Sequence, residues 1–575
     1  MTRTLLLRLS LICLFCSWAC QTTPQQQKST HESASKQSIA YRLKISDFLP
    51  IKARLDLYHR LKAEQADVYD FDNEDSLNMY GYSLLWADKP QEALEIFKLI
   101  VSEFPHSANA YDSLAEAYLK LGDSEQALSL YEHSLSLNPD NYNAQDQIEK
   151  IKFPDRQAES PAQKFTKRFT VEQYRADLDE LGQKLAEIHP NVFKFTSEAD
   201  FWALVEAKKA LITEQTTYAQ FSWHCSEIVA AANCSHTSSG DFFPEWQMLP
   251  IQMVFPIETR LIGDQLYIVD PGDHEAKLHP GDEILSINGV AVESLIKKIF
   301  SHIPSQGHIE TSKTHHFNDW AVGMIPYALD FPEQYKIVVK GKSEAIQLSS
   351  LSRYSFPEGT NQNNCPEDLC LEILADKQSA ILTIASFNYY PWNNLNEFES
   401  FIDRSFQQLR EEKIQHLIID VRGNGGGSPE SSIYLLRHLM KKPFPYFVQT
   451  VYRGGQGMQQ PIEQPFQGTL VFLIDGRGNS TTGHFMALAK EHQLGIIVGE
   501  ELGSNQFCTA DRVIRRLPNT RLEFYVADKT SVVSVNSIPD NRGVMPDHEV
   551  QQTISEYLQG KDAVKDFALQ LLDDK

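Results

Sequence analysis

Short apolar runs alternate with amphipathic segments in the C-terminal third of the chain. Three short, mainly apolar stretches are typical of buried strands: residues 379–384, 416–420 and 470–474. Residues 395–409 repeat apolar positions at the spacing of an amphipathic helix, and further helices are predicted from about Glu430 and after Ser480. Strands that alternate with helices predict parallel pairing, so we expect an α/β core at residues 375–575.

The middle of the chain changes from a helical to a strand-like pattern. Residues 170–225 carry apolar positions three or four residues apart, among them Leu178, Leu181, Leu185 and Ile188. We therefore expect a helical cap at residues 165–245. From residue 249 to about residue 339 short strand-like runs accompany one helical segment, which predicts a β domain at residues 246–345.

A 34-residue period marks the N-terminal helical region, which is predicted at residues 41–153. Small, aromatic and proline positions recur at this spacing: Ala93, Phe97 and Pro105 correspond to Ala127, Tyr131 and Pro139. The pattern resembles the tetratricopeptide repeat, with two repeats at residues 78–141 and a capping helix at residues 142–151. Stacked helix pairs of this kind form a concave face that binds a peptide segment, so either a protein partner or a purely structural appendage is expected.

The first 20 residues have the pattern of an export signal. Arg3 and Arg8 precede an apolar run at residues 9–15 that is too short to span a bilayer. Small residues before Cys20 make the segment similar to a bacterial lipoprotein signal, in which the cysteine is lipidated, and a plain secretory signal is the alternative. Polar residues 21–40 predict a flexible tether. The expected location is the periplasm or the outer membrane, with a lipid as the sole membrane anchor.

Composition narrows the classes of function. A net charge of −23 without a basic patch argues against a nucleic-acid partner, and a hydrophobic fraction of 42% indicates packed domains. No zinc-site spacing of Cys and His recurs along the chain, so we expect neither a metal nor a cofactor. Export permits disulfides, and two local pairs are possible, Cys225 with Cys234 and Cys365 with Cys370, with Cys508 left unpaired.

A glycine-rich turn follows the last of the three predicted strands and leads into a helix. Residues 475–479 read Asp-Gly-Arg-Gly-Asn and are followed by Ser480. A strand that breaks at glycines before a helix exposes a hydroxyl beside free backbone N–H groups, which is the geometry that a nucleophilic serine requires. Asn479 or Ser480 could equally be an ordinary helix N-cap, and this segment alone leaves both interpretations open.

Three motifs occur in order along the chain: residues 233–237 (Asn-Cys-Ser-His-Thr), residues 420–426 (Asp-Val-Arg-Gly-Asn-Gly-Gly) and Ser480 in its turn. Between the first two, residues 278–289 resemble part of a PDZ-like domain, which captures extended peptides on a sheet edge. This order resembles the C-terminal processing (tail-specific) serine protease family, and within it the tricorn-type branch, which uses a histidine base. The resemblance covers residues 170–575 and includes Gly-Val-Met-Pro-Asp at residues 543–547.

The resemblance implies a multidomain α/β protein with a tetratricopeptide module, a helical cap, a PDZ-like β domain and an α/β protease core. Ser480 would be its nucleophile. The oxyanion of the acyl-transfer intermediate would be held by the loop and the helix start: Gly425, Gly426, Gly427 and the Thr481 N–H. Glycine suits this loop because a backbone N–H approaches a developing negative charge most closely where no Cβ intervenes.

The base implied by the resemblance is His236. The lysine-type members carry a lysine at the place that corresponds to residues 504–506, and none stands there in this chain. Imidazole titrates near neutrality and can accept the serine proton, and Ser235 would help to orient it. Glu500 or Asp540 would be the third, orienting acid.

The implied function is that of an exported serine-type endopeptidase that acts on a polypeptide substrate. The PDZ-like domain would capture the peptide, and the repeats would bind a partner. Two departures from the family pattern, Gly483 in place of a glutamate and Cys234 before Ser235, leave a second interpretation open. It is a catalytically inactive peptide- or ligand-binding protein with the same fold, and a third is a repeat-based assembly factor with an inert core.

Overall fold

The structure is a computed structural model that describes residues 36–573 apart from residues 158, 240–247, 351–364, 366, 377 and 453. The chain divides into two units, Met1–Lys36 and Gln37–Lys575, and all the described helices and strands lie in the second. The predicted export signal and most of the tether fall outside the described residues. Among the residues that are described, no helix is long and apolar enough to cross a membrane.

The N-terminal region is built from helices and one short pair of parallel strands, β1 (Gln37–Ser38) and β2 (Tyr69–Asp70). Its helices are α1 (Ile39–Lys44), α2 (Ile51–Glu64), α3 (Glu74–Trp86), α4 (Pro90–Glu103), α5 (Ala108–Lys120), α6 (Ser124–Leu137) and α7 (Tyr142–Lys152). Four of the recurring positions are fully buried, namely Ala93, Phe97, Ala127 and Tyr131, whereas the two prolines are exposed. A Cβ on Gly81 would overlap the ring of Phe97. The small residues therefore let neighbouring helices approach closely.

A helical cap follows: α8 (Pro161–Thr166), α9 (Val171–Ile188), α10 (Glu198–Leu211) and α11 (Tyr218–Ala230). Leu178, Leu181 and Leu185 are fully buried, as their helical spacing predicts. The chain then leaves α11 through residues 231–239, and His236 lies in this irregular segment.

The next region contains an antiparallel sheet of strands β3 (Glu258–Ile262), β4 (Gln265–Asp270), β5 (Glu283–Ile287), β6 (Val290–Ala291), β7 (Tyr335–Val339) and β8 (Ile346–Leu348). Its order is β3-β4-β5-β7-β8, and β6 pairs with β5. Two helices pack against it, α12 (Val292–Phe300) and α13 (Thr311–Ala328). This is the region predicted to be PDZ-like, and its assignment to that class of domain stays a prediction.

The C-terminal region contains the remaining strands: β9 (Leu369–Ile373), β10 (Ser379–Ile384), β11 (His416–Asp420), β12 (Phe444–Pro445), β13 (Phe447–Gln449), β14 (Met458–Gln459), β15 (Thr469–Ile474), β16 (Ile496–Gly499), β17 (Phe507–Arg516), β18 (Glu523–Val533) and β19 (His548–Glu549). The central sheet has the order β19-β16-β15-β11-β10-β9, and only β9 runs antiparallel to its neighbour in it. The predicted strands β10, β11 and β15 and their parallel pairing are confirmed.

Helices cover both faces of this sheet: α14 (Leu395–Glu411), α15 (Pro429–Leu439), α16 (Thr481–Glu491), α17 (Ile554–Leu558) and α18 (Ala563–Asp573). Helices α14, α15 and α16 pack on one face, and α18 packs on the other. The apolar runs of β11 and β15 are continuous because both of their faces are buried in this way. The loops after β11 and β15 leave the same edge of the sheet, since parallel strands end together.

Strands β17 and β18 form a long hairpin that joins the cap and the repeats to the core. Asp177 of α9 accepts hydrogen bonds from the Asn519 N–H at 3.1 Å and from the N–H and hydroxyl of Thr520 at 2.8 and 2.6 Å. Arg516 at the end of β17 forms two hydrogen bonds with Asp146 of α7, at 2.9 and 2.7 Å. Because β17 starts beside Ser480, both modules are linked to the strand that borders the glycine turn.

One disulfide, between Cys365 and Cys370, closes a short loop with a Cα–Cα distance of 5.8 Å. The alternative pair of Cys225 and Cys234 is wrong, because both residues are buried without a disulfide between them, and the Cys234 thiol donates to the Thr509 carbonyl. Cys508 is also free, as predicted.

Candidate active site

Ser480 stands at the first position of the turn into α16 with φ +54° and ψ −121°. Residues other than glycine rarely adopt a positive φ, and such strain persists only where the surrounding structure holds it. The Ser480 side chain makes no capping hydrogen bond to α16. The N-cap interpretation of Ser480 therefore fails, and its hydroxyl is left free for another role.

The loop after β11 lies directly against this turn. The Asn424 amide oxygen accepts the Gly426 N–H at 2.9 Å and the Thr482 hydroxyl at 2.8 Å, which ties the loop to α16. The Thr481 hydroxyl donates to the Gly427 carbonyl at 2.5 Å. Gly426 has φ +103°, and a Cβ there would come within 2.7 Å of the Ser480 Cβ. Glycine is required because the two loops touch at this point.

The predicted oxyanion donors divide into two groups. The Gly426 N–H already donates to the Asn424 amide oxygen, so it is not available to an oxyanion. The role of Gly426 is to let the glycine loop come close to the turn that carries Ser480. The N–H groups of Gly425, Gly427 and Thr481 donate to no acceptor in the described part of the chain. Free N–H groups beside a serine hydroxyl are what an oxyanion requires, since they bind the developing charge without reorganising.

The sulfur atom of Cys508 lies close to both His236 and Ser480. The Cys508 Sγ is 4.0 Å from the Ser480 Oγ and 3.9 Å from the His236 Nδ1. Within the described structure no hydrogen bond joins His236 to Ser480 directly. Burial, with a smaller effect of neighbouring Cys234, raises the pKa of Cys508 to about 12, so the thiol is neutral. The sequence pattern identified Cys508 only as an unpaired cysteine, because β17 reaches the site through tertiary contacts.

The environment of His236 favours the neutral imidazole. Burial is the larger cause and the positive charge of Arg512 the smaller one, and together they lower the pKa of His236 to about 4. Burial likewise lowers the pKa of His484, one turn after Ser480, to about 3. His236 is therefore unprotonated at neutral pH, and a general base must be in this form to accept a proton.

Ser235 joins the predicted base to the turn before the predicted nucleophile. Its hydroxyl is 3.3 Å from the His236 Nδ1 and donates to the Asn479 amide oxygen at 3.0 Å. The same amide oxygen accepts the Ser480 N–H at 2.8 Å. Asn479 thus joins the segment of the predicted base to the turn of the predicted nucleophile. The sequence suggested Asn479 only as a possible N-cap.

Neither of the acids suggested as a third catalytic group contacts His236. Glu500 forms a short hydrogen bond with His315 and accepts the Gly476 N–H at 3.0 Å. Burial alone would raise the pKa of Glu500, but the hydrogen bond and charge of His315 outweigh burial and lower it. Asp540 pairs with Lys194 at 2.7 Å and accepts from the Gln506 amide at 2.7 Å.

The two departures from the family pattern have local causes. A Cβ at Gly483 would come within 2.5 Å of the Ser504 Oγ, so α16 and the residues after β16 pack too closely there for a glutamate. The Cys234 side chain is buried against β17, where an apolar residue of small size fits. Neither substitution removes a group that contacts Ser480.

Arg422 braces the loop that carries the glycines. Its guanidinium makes two hydrogen bonds to Asp420, at 2.9 and 2.7 Å, and two to Asp562, at 2.7 and 2.8 Å. Among the described residues no group of three or more His, Cys, Asp or Glu side chains is placed to hold a metal ion, and the expectation of no cofactor stays a prediction.

Comparison with known proteins identifies two regions. Residues 378–550 match the profile of peptidase family S41. The chain carries a peptidase family S41 domain. Residues 84–147 match a tetratricopeptide repeat profile, so the predicted combination of protease core and repeats is confirmed. No curated protein matches the chain in sequence.

Solved structures also align with the chain. Mature CPAF complexed with lactacystin is 13% identical, with 70% of this chain and 99% of that chain covered and a TM-score of 0.49. The photosystem II D1 C-terminal processing protease is 13% identical, covering 68% and 98%, with a TM-score of 0.33. The tricorn protease is 16% identical, covering 70% and 36%, with a TM-score of 0.31.

The glycine loop of the S41 domain provides a matched pair of variants. Gly426→Ala is expected to lower the rate at which a fluorophosphonate phosphonylates Ser480 by about 10²-fold or more, because the new Cβ displaces Ser480 and the Thr481 N–H. Gly425→Ala is the control, since a Cβ there meets no atom within 4 Å. Mass spectrometry of the adduct over time measures both rates. Equal losses in the two variants would contradict this interpretation of the loop.

Proposed function

We propose that this protein is a serine-type endopeptidase that hydrolyses polypeptides through an acyl-enzyme. The observation that carries the proposal is Ser480, held at positive φ without a capping bond, beside the free N–H groups of Gly425, Gly427 and Thr481. The S41 domain supports the same chemical class. A hydroxyl in a strained turn beside preorganised donors has no structural use in the helix that follows it.

The proposed reaction proceeds in two halves. His236 takes the Ser480 proton through its Nε2 as the Ser480 Oγ attacks the peptide carbonyl, and the free N–H groups stabilise the oxyanion. The protonated imidazole then gives its proton to the leaving amine. Water, deprotonated by His236, attacks the acyl carbon, and the bond to the Ser480 Oγ breaks as His236 returns the proton to that oxygen and the second product leaves. Because the pKa of His236 is lowered to about 4, the rate is expected to fall only below that pH.

Labelling of the full-length protein with a fluorophosphonate tests the proposal. We expect the reagent to form an adduct on Ser480 in the folded protein and to form none in the unfolded protein. The proposal would be overturned if the fluorophosphonate labelled a different residue or no residue at all, and the protein also failed to cleave an unfolded substrate.

The position of Cys508 favours a second candidate, a peptide-binding protein without catalysis. Its sulfur lies 3.9 Å from the His236 Nδ1 and 4.0 Å from the Ser480 Oγ, and these two side chains share no direct hydrogen bond in the described structure. Catalytic hydrogen bonds are often long without substrate, so a structure without a His236–Ser480 hydrogen bond is compatible with His236 as the base. Peptide binding without any Ser480 adduct is the result that distinguishes this candidate.

Peptide capture by the PDZ-like region is part of the proposal. Peptide addition requires free N–H and C=O groups on a sheet edge, and β3 is an edge strand. At Leu261 these groups are occupied by the side chain of Asn318, whose amide accepts the N–H at 2.7 Å and donates to the carbonyl at 3.0 Å. A peptide that adds to β3 must therefore displace Asn318.

Asn318→Ala is expected to tighten binding of an extended peptide about three- to tenfold, because the edge of β3 at Leu261 becomes free. Fluorescence anisotropy with a labelled unfolded peptide and the Ser480→Ala protein measures the affinity. Asn288→Ala is the control, since Asn288 bonds to the Gln334 carbonyl and the Lys336 N–H in the same region, away from that edge. Unchanged or weaker binding would show that β3 does not receive the peptide.

The repeats are proposed to bind a protein partner. One end of the module already contacts the core through Asp146 and Arg516, so the partner would use the part nearer α3. Trp86 on α3 is 71% exposed and stacks on Tyr82. Loss of partner binding in Trp86→Ala, with unchanged Ser480 labelling, would support this role.

Export and lipidation at Cys20 complete the proposal. They rest on the signal-like pattern of residues 1–20. Metabolic labelling with a fatty acid should mark the parent protein and leave a Cys20→Ser variant unmarked. A soluble, unlabelled parent protein would contradict lipid attachment.

A further inference from the structure

The third group of a serine–histidine site holds the imidazole in one tautomer and orientation. The carboxylates considered for this role all have other partners. Glu500 bonds to His315 and Asp540 to Lys194. Asp511, the one acid whose charge acts on the pKa of His236, accepts from the Tyr452 hydroxyl at 2.9 Å and pairs with Lys529 at 2.8 Å. Within the described structure no carboxylate is hydrogen-bonded to His236.

Another chain of hydrogen bonds does reach the imidazole. It runs from the Asn479 amide oxygen to the Ser235 hydroxyl at 3.0 Å and from that hydroxyl to the His236 Nδ1 at 3.3 Å. Asn479 itself is fixed by its backbone, because its N–H donates to the Asn424 carbonyl and its carbonyl accepts the Thr482 N–H. The chain therefore starts at a rigid point between the glycine loop and the nucleophile turn.

The directions of these bonds follow from counting protons. The Asn479 amide oxygen accepts the Ser480 N–H at 2.8 Å, so this atom is the oxygen and not the nitrogen of the amide. Ser235 has one hydroxyl proton and donates it to that oxygen. The Ser235 Oγ is then left with acceptor capacity only, so the His236 Nδ1 must donate to it. The free lone pair of the ring is consequently on Nε2.

We infer that Asn479, acting through Ser235, is the orienting third member of the Ser480 and His236 site, and that this member is a neutral amide in place of a carboxylate. Asn479 is a positioning residue, because it reaches the base through the Ser235 hydroxyl and the nucleophile through the Ser480 N–H. The inference rests on the proposed function, since it assigns His236 as the base of Ser480.

A neutral orienting group has a chemical consequence. A carboxylate would stabilise the imidazolium that forms when Ser480 loses its proton, whereas an amide oxygen supplies only a dipole. The groups that act on His236 here are mostly neutral or positive: the Cys508 thiol, the His484 ring and Arg512, against the single charge of Asp511. The lowered pKa of His236 agrees with this environment.

A double-mutant cycle on the rate at which Ser480 is phosphonylated tests the inference. Ser235→Ala and Asn479→Ala are compared with the protein that carries both changes, with a fluorophosphonate as the probe. If Asn479 acts through Ser235, each single variant should lose about tenfold or more in rate, and the double variant should lose little beyond the larger single loss. Multiplicative losses would mean that Asn479 acts on Ser480 alone and would overturn the inference.

Nitrogen-15 NMR of the histidines in the resting protein gives a readout that does not depend on rate. Signals of His236 with a protonated Nδ1 and an unprotonated Nε2 are expected in the parent, and a mixture of tautomers in Ser235→Ala. The opposite tautomer in the parent protein would overturn the inference.

Asn479→Asp keeps both acceptor contacts and adds a negative charge. It is expected to raise the pH at which half of the phosphonylation rate is lost by about one unit, because the charge stabilises protonated His236 through Ser235. An unmoved profile would show that the chain does not reach the base. If Ser480 is not labelled even in the parent protein, the proposed function is wrong. The NMR experiment then still tests the hydrogen-bond chain, because it does not depend on the reaction of Ser480.

Discussion

Replacement of Ser480 by alanine is expected to lower the rate of peptide hydrolysis by about 10⁴-fold or more, since loss of a nucleophile removes the acyl-enzyme route entirely. The same change should leave the free energy of unfolding nearly unaltered, because the hydroxyl makes no capping bond and alanine keeps the strain at φ +54°. Progress curves with an unfolded protein substrate and denaturant unfolding measure the two quantities. The prediction thus separates a catalytic serine from a structural one.

Ser480→Gly sharpens this test. Glycine adopts a positive φ without strain, so this variant should gain about 1 kcal/mol in the free energy of unfolding while it remains inactive. Ser428 is the matched control, because it stands at the start of α15 with φ −70° and accepts the Glu430 N–H at 3.1 Å. Ser428→Ala should lose about 1 kcal/mol, as true N-caps do. An active Ser480→Ala protein, or a destabilised Ser480→Gly protein, would refute the assignment of Ser480.

Arg422→Ala is expected to lower the free energy of unfolding by about 3–5 kcal/mol. The change leaves the carboxylates of Asp420 and Asp562 without their shared partner, and Asp420 is buried. It also releases α18, because Asp562 accepts the Lys565 N–H at the start of that helix. Denaturant unfolding at neutral pH measures the loss. Hydrolysis should decline as well, since Arg422 stands in the loop that carries the glycines.

The pH dependence of this loss has a definite sign. Burial would raise the pKa of Asp562, but the hydrogen bonds and charge of Arg422 outweigh burial and lower it. A depressed folded-state pKa contributes stability above the unfolded value, about 3.9, and that stability disappears as the pH falls through the folded value. The difference between parent and variant should therefore be largest near neutrality and shrink below about pH 4.

Arg477→Ala is the matched control for Arg422→Ala. Arg477 also makes two hydrogen bonds to one carboxylate, Asp319, at 2.7 Å each, but both side chains are more than a third exposed. Solvent screens such a pair, so the expected loss is less than about 1 kcal/mol. Similar losses in the two variants would show that burial is not what makes Arg422 important.

The sequence by itself determined the elements whose residues obey a local rule. The strands β10, β11 and β15 could be predicted from mainly apolar runs, because a strand whose two faces are both buried needs apolar residues on each face. The repeats could be predicted from small residues that recur at a fixed period. Ser480 and the glycine loop could also be located, because the chemistry depends on a turn whose residue types are visible in the chain. Parallel strands that end at one edge then implied that the two loops meet.

Only the tertiary structure decided which groups surround the predicted base. Glu500 and Asp540 were candidates from their positions in the chain, but His315 and Lys194, which are distant in sequence, bind their carboxylates. Cys508 and Asn479 contact the site because β17 and the turn before α16 pack against residues 231–239. Hydrogen-bond partners depend on which segments meet in space, and no periodicity along the chain encodes that choice.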